Sequence, residues 1–284
     1  MDKVAERGWD KVIRPRNGWF DVDLREIWRY RDLIALFVWR DFVAVYKQTV
    51  LGPLWYLIQP LLTTLVFTVI FGSVAKLPTE GVPPFLFYLS GVVAWRYFAD
   101  CLNNTSNTFI GNAHLFGKVY FPRITVPVSV VVSSLVAFAI QFLLFLLFFT
   151  YYRWNGAPVK PHAVLLLLPV LVVQMAALGL GFGIIVSAMT TRYRDLTHLV
   201  AFGVQLWMFA TPVVYPASSV PANWQWLLAV NPMAPVIEMF RYAFLGTGSV
   251  SLTNWAVSLL TTAAVLLLGV LLFSRVEKTF MDTV

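Results

Sequence analysis

The sequence predicts an all-α integral membrane protein with six transmembrane helices. Three observations carry this. Hydrophobic residues make up 59% of the 284-residue chain. Charged residues make up only 12%, about half the ~25% usual in a soluble domain. Mean hydropathy is +0.73, and the apolar residues gather into runs of about 20, the length that crosses a bilayer core as a helix. A chain so short of charge must turn much of its surface toward something other than water. The net charge of +7 would suggest nucleic acid in a soluble protein. Here the basic residues flank apolar runs, which points to anionic headgroups and to topology, with no nucleic acid.

Taken in order, residues 1–50 form a mixed-polarity N-terminal segment with no cleavable signal pattern. Its end, "RDLIALFVWRDFVAVYKQTV", places Leu33, Ile34, Phe37, Val38, Phe42, Val45 and Tyr46 near helical spacing. Arg31, Arg40, Lys47 and Gln48 fill much of the rest, and Asp41 interrupts the apolar stripe. Such a helix lies in the membrane interface, apolar side down, as an anchor or a docking surface. Pro53 in "VLGPLW" is expected to end it. The membrane domain, 51–284, then holds spans at about 55–74, 85–104, 124–151, 163–189, 196–215 and 254–274. Of the 21 lysines and arginines, sixteen fall on the side of the termini and four on the other, with Arg96 inside span two. The positive-inside rule puts both termini in the cytoplasm.

One stretch, "SVPANWQWLLAVNPMAPVIEMFRYAFLG" at 219–246, is apolar yet broken. Neither half, about 221–230 or 234–245, reaches the length of a span, and Pro221, Pro232 and Pro235 are expected to break the helix. Glu238 and Arg241 are three apart on one face. They form either an internal ion pair or a contact for substrate.

Motifs for chemistry are few. "GNAHLFGKV" imitates a phosphate-binding loop, but Gly111 and Gly117 enclose five residues and Val119 stands where a hydroxyl would bind Mg²⁺. No other nucleotide fingerprint, zinc spacing or nucleophile elbow is present, so no catalytic residue, metal site or cofactor is assigned. Asp100 is the one acid inside a predicted span, which disfavours an ion-coupled carrier. A membrane glycosyltransferase is disfavoured by the lack of acidic metal-binding loop motifs. Energy is therefore expected from a partner. Arg96 and Asp100, four apart on one helical face, are either a mutual ion pair or a cation offered to an anionic substrate. "NNT" and "NTS" match the glycosylation pattern but fall toward the cytoplasmic side. His114, His162 and His198 form no cluster. Cys101 reads as a small buried side chain. Gly179, Gly181 and Gly183 allow close helix approach, within the chain or between subunits. Aromatic clusters such as "FLFYLSGVVAWRYF" and "QLWMF" suit sugar rings, though interfacial belts also account for Trp95, Trp207, Trp224 and Trp226.

The order "VLGPLWYLIQP", "GNAHLFGKVYFPRITVPVS", "TTRYRDLTHL", "TPVVYP…NPMAPVIEMFRYAFLG" and "EKTFMDTV" resembles the ABC-2 permease subunits of polysaccharide exporters, of the O-antigen, capsule and teichoic-acid type. The resemblance spans about residues 30–284. It implies an N-terminal amphipathic interface helix, two re-entrant half-helices between spans five and six, and a homodimer in the bacterial inner membrane. It also implies two copies of a cytoplasmic ABC ATPase that hold Mg-ATP, and a lipid-linked glycan as substrate. The loop after span two would be the ATPase-coupling element, through Asn112, His114, Leu115, Phe116, Lys118, Tyr120 and Arg123. Arg40, Lys47 and Arg96 would meet the substrate head group. Tyr88, Trp95, Phe98 and Trp207 would line the channel, and Trp224, Trp226, Glu238 and Arg241 would form the outer gate. A drug exporter of the same fold is the remoter alternative.

Overall fold

The computed structural model describes residues 28–47, 50–112, 121–190 and 195–279. Within them every regular element is helical: α1 (Arg31–Lys47), α2 (Trp55–Phe67), α3 (Pro84–Ser106), α4 (Thr108–Gly111), α5 (Thr125–Trp154), α6 (Leu168–Thr190), α7 (Leu196–Phe209), α8 (Gln225–Val230), α9 (Met233–Leu245) and α10 (Leu252–Thr279). With their short helical extensions, five segments are long and apolar enough to span a bilayer: Gly52–Val74, Pro84–Ser106, Thr125–Trp154, Ala163–Thr190 and Leu252–Arg275. These match five of the six expected spans to within a few residues.

α3 is the centre of the molecule. Its most apolar window is 83% buried, against 17–28% for the other four spans, so those four turn most of their surface outward, as lipid-facing helices do. α3 touches α2, α5, α6, α7 and α9. Its close fit to α6 depends on residues without side chains. A Cβ on Gly179 would stand 2.6 Å from Cys101 Cβ, and one on Gly183 would stand 2.5 Å from Thr105 Cβ. Gly181 serves the opposite face of α6, where its carbonyl oxygen lies 2.7 Å from the place a Cβ on Gly269 of α10 would take. The glycines thus join three helices of one chain.

Several expectations need correction. Pro53 does not end α1, which stops at Lys47. It starts the next helix, in a tight turn over Gly52–Leu54, where a missing N–H leaves no helical bond unmade. α2 then continues into a wider turn over Thr68–Val74, marked by the bond from Ala75 N to Ile70 O at 2.8 Å. α7 reaches only Phe209, not 215. Its 14 residues rise about 21 Å at 1.5 Å each, short of the ~30 Å hydrocarbon core. Pro212 is the local cause, because the residue before a proline is driven out of the helical region. Pro235 does not break a helix, since it sits in the first turn of α9, where its N–H has no intrahelical partner to lose.

The apolar stripe of α1 turns onto protein. Phe37 is buried, edge-on to Phe121 with ring centroids 6.0 Å apart, in a cluster with Ile124, Val126, Ile184 and Phe273. Asp41, the interruption in that stripe, has a partner there: Ser133 of α5 donates to its Oδ2 at 3.4 Å.

Replacing Gly183 by valine should overpack the α3–α6 contact, at a cost of about 1–3 kcal/mol. The expected outcome is a lower unfolding temperature of the detergent-solubilised protein, checked by fluorescence-detected size exclusion after heating; an unchanged midpoint would remove the glycines from the packing account.

Candidate functional site

Two polar constellations stand out along α3, one near its start and one from its middle onward. The first surrounds the broken stretch. Arg241, on α9, is 1% exposed, an unusual place for a guanidinium. Its charge is met from several sides. Nη1 donates to Pro212 O at 2.5 Å and to Tyr215 O at 3.4 Å, and Nη2 donates to Val213 O. The guanidinium carbon lies 3.8 Å from the centre of the Phe87 ring, in cation–π range. Glu238 Oε1 is 3.5 Å from Nη1, and Glu238 Oε2 accepts from Ser249 N at 3.0 Å. Space for this comes from Gly91 of α3, where a Cβ would stand 2.8 Å from both Arg241 Nη2 and Val213 O. Glu238 and Arg241 therefore face each other in the interior, the ion-pair arrangement of the two weighed from sequence.

Asn231 performs a second fastening. Its Oδ1 accepts from Met233 N at 3.0 Å, capping α9, and from Trp207 Nε1 at 3.2 Å. Its Nδ2 donates to Ala210 O at 3.2 Å and Thr211 Oγ1 at 2.8 Å. Behind it, Ser258 of α10 donates to Pro232 O at 2.5 Å, Gln174 of α6 donates to Ser258 Oγ at 2.7 Å, and Trp255 donates to Gln174 Oε1 at 2.9 Å. The non-helical backbone at 210–215 and 232 is thus supplied with partners from Asn231, α9 and α10, with Gln174 of α6 behind Ser258. Irregular backbone at membrane depth is stable only when protein or a wet cavity satisfies it. Asn231, Gln174 and Ser258 were not singled out from sequence. An asparagine before a proline and a glutamine in an otherwise apolar run were the available signals.

The second constellation lies between α1, α2, α3 and α5. Arg96 Nη2 donates to Gln59 Oε1, and Arg96 Nε stands 3.7 Å from Asp100 Oδ2. Arg40 is bound to Asp41 Oδ1 at 2.8 Å and lies 4.9 Å above the Phe37 ring. Lys47, at the end of α1, is exposed. A cavity of about 450 Å³ is lined here by Asp41, Gln59, Arg96, Asp100, Asn104 and Ser133, with Trp55 and Tyr56.

The remaining predicted residues separate. Tyr88, Trp95 and Phe98 are at most 4% exposed. They pack in the core of this chain because α3 is the central helix. Trp95 and Phe98 form a layer with Trp207, at centroid distances of 6.0 and 5.2 Å. Of the four predicted lining residues only Trp207 is partly open in the single chain; aromatic content identified the layer, while the burial of α3 turned it inward. Trp224 and Trp226 are exposed, 57% and 59%, beside and within α8. Asn112 and Arg123 border the loop predicted to couple to an ATPase; His114, Leu115, Phe116, Lys118 and Tyr120 lie outside the described residues.

The five long apolar helices, with irregular backbone satisfied from inside, define a polytopic helical membrane protein whose ends carry the polar chemistry. Residues 32–245 match the ABC-2 type transporter family, and the chain belongs to it. Among its relatives is the O-antigen export system permease protein RfbA of Myxococcus xanthus, 31% identical over 225 residues, 78% of this chain and 83% of that protein. RfbA of Klebsiella pneumoniae is 26% identical, covering 88% of this chain and 94% of its own. The polysialic acid transport protein KpsM of Escherichia coli is 22% identical over 88% and 95%.

Breaking the Arg241 cluster tests the first constellation. Arg241→Met leaves Glu238 buried without its counter-charge, which costs about 3–5 kcal/mol. The expected result is loss of monodisperse protein, with partial recovery in the Glu238→Gln, Arg241→Met double variant, read as folded yield and unfolding midpoint. Equal loss in both would show that the carbonyl contacts alone carry the stability.

Proposed function

We propose that this chain is the membrane permease subunit of an ATP-driven ABC exporter that moves lipid-linked polysaccharide, O-antigen first among the candidates, across the bacterial inner membrane. The observation that carries this reading is the similarity, over 88% and 78% of the chain, to permeases named for O-antigen export, together with membership of the ABC-2 family. The relatives named for polysialic acid and capsule polysaccharide support capsular glycan as the second reading. The charge distribution supports cytoplasmic termini, and with them the loop 112–123 toward a separate ATPase.

In this reading two copies of the chain pair with two ATPase copies, which supply ATP hydrolysis. α7 continued by 210–216 makes the sixth crossing, and α8 with α9 form the re-entrant pair on the outer side. Glu238 and Arg241 then fasten that pair, and the exposed Trp224 and Trp226 form its outer rim against cargo. Arg40, Lys47 and Arg96 are the cations at the cytoplasmic end of the spans, where a lipid-linked head group would arrive. Because α3 contacts both polar constellations, a shift at one end is transmitted by a rigid element to the other, the kind of two-ended coupling that alternating states require.

The reconstituted permease–ATPase complex should hydrolyse ATP severalfold faster with a lipid-linked O-glycan than with the carrier lipid alone. Absence of stimulation by O-antigen and by capsular glycans alike would overturn the substrate class. Trp224→Ala with Trp226→Ala should lower glycan export at least severalfold while stimulated ATP hydrolysis persists; full export by the double variant would remove the rim role.

A further inference from the structure

The cavity between α1, α2, α3 and α5 differs from a phosphate site in its charge. Phosphate is held by free guanidinium forks, ammonium groups or backbone N–H groups. Here the charges are already matched: Arg40 with Asp41 at 2.8 Å, and Arg96 with Asp100 at 3.7 Å. Arg96 is further committed to Gln59. Two carboxylates at such a wall oppose a dianion. The Asp100–Arg96 separation is beyond hydrogen-bonding distance, and the Asp100 side chain is 35% exposed. Its acceptor lone pairs are therefore open to the cavity.

What the wall does offer is a mixture. Asp100 accepts, Gln59 and Asn104 each carry both an acceptor and donors, and Arg96 donates. Trp55 and Tyr56 add ring surface beside them. Paired acceptors and donors next to an aromatic face suit a neutral, hydroxyl-rich ring: each hydroxyl both donates and accepts, and the C–H face of a sugar lies against an electron-rich ring. At about 450 Å³ the cavity falls within the ~300–1,000 Å³ range of small-molecule sites.

We propose that this cavity is a subsite for an uncharged sugar, taking the first saccharide of the lipid-linked glycan, while any phosphate contact falls to Lys47, an exposed cation outside it. This rests on the export reading above and adds to it: the protein reads the sugar next to the carrier, and reads it within one chain.

The test uses the permease–ATPase complex in nanodiscs and two radiolabelled probes. One is a polyprenyl diphosphate bearing a single N-acetylhexosamine; the other is the same carrier without sugar. The sugar-bearing probe should bind at least tenfold tighter. Asp100→Asn should reduce that preference to about twofold while binding of the bare carrier is unchanged. Asn104→Ala, at an exposed position, should lower it severalfold and guards against a folding defect in the first variant. Equal binding of the two probes to the unaltered protein, or equal loss of both in the variants, would overturn the sugar subsite and leave the export reading standing. Displacement of the sugar-bearing probe by phosphatidylethanolamine at lower concentration than by free N-acetylhexosamine would make it a lipid site and likewise overturn the proposal. Binding of neither carrier would defeat both.

Discussion

A guanidinium with almost no exposure to solvent holds one end of this molecule together. Arg241 donates to the carbonyls of Pro212, Val213 and Tyr215, groups whose helical partners were lost when Pro212 stopped α7. In hydrocarbon such carbonyls have no water to turn to, and each one left unmet costs several kcal/mol. Glu238 and the Phe87 ring offset the buried charge, and Gly91 provides the room. Removing any one of these leaves another uncompensated, so the broken segment and the helix that supports it form one unit.

α3 connects that unit to the rest. Near its start it meets Arg241 through Phe87 and Gly91; farther along it carries Arg96 and Asp100, and on the same turns Trp95 and Phe98 form the layer with Trp207. Gly179 and Gly183 let α6 lie against it with almost no intervening side chain. Interiors packed this closely do not deform continuously but pass between discrete arrangements. That property suits a transporter whose energy arrives at one end and whose cargo leaves at the other.

Much of this fold was legible in the sequence because bilayer length and helical rise impose the same ~20-residue unit. Five spans and the break at Asn231–Pro232 follow from apolar runs and prolines. The end of α7 was misread because hydropathy stays high through "TPVVYP" while the backbone there is irregular; hydropathy does not register a missing N–H. The inward turn of Tyr88, Trp95 and Phe98 was hidden for a related reason. An apolar run has the same composition whether it faces lipid, a channel or five neighbouring helices. Asp41 marked a real feature, an acid that accepts from Ser133 in a cavity wall, but that partner lies 92 residues away, beyond the reach of local pattern.

The family and the relatives converge on the export of a polysaccharide through the membrane; in the proposed function the glycan travels on a lipid and is driven from the cytoplasmic face. The direct measurement is translocation in proteoliposomes holding this chain and its ATPase, oriented with the ATPase outside. Lipid-linked glycan is supplied in the outer leaflet, and its protection from an impermeant glycosidase is followed with time. The account predicts that protection grows with ATP and magnesium, and that it does not grow with a non-hydrolysable nucleotide or without the permease. Protection that develops equally without ATP hydrolysis, or not at all while the complex hydrolyses ATP in the presence of the glycan, would contradict it.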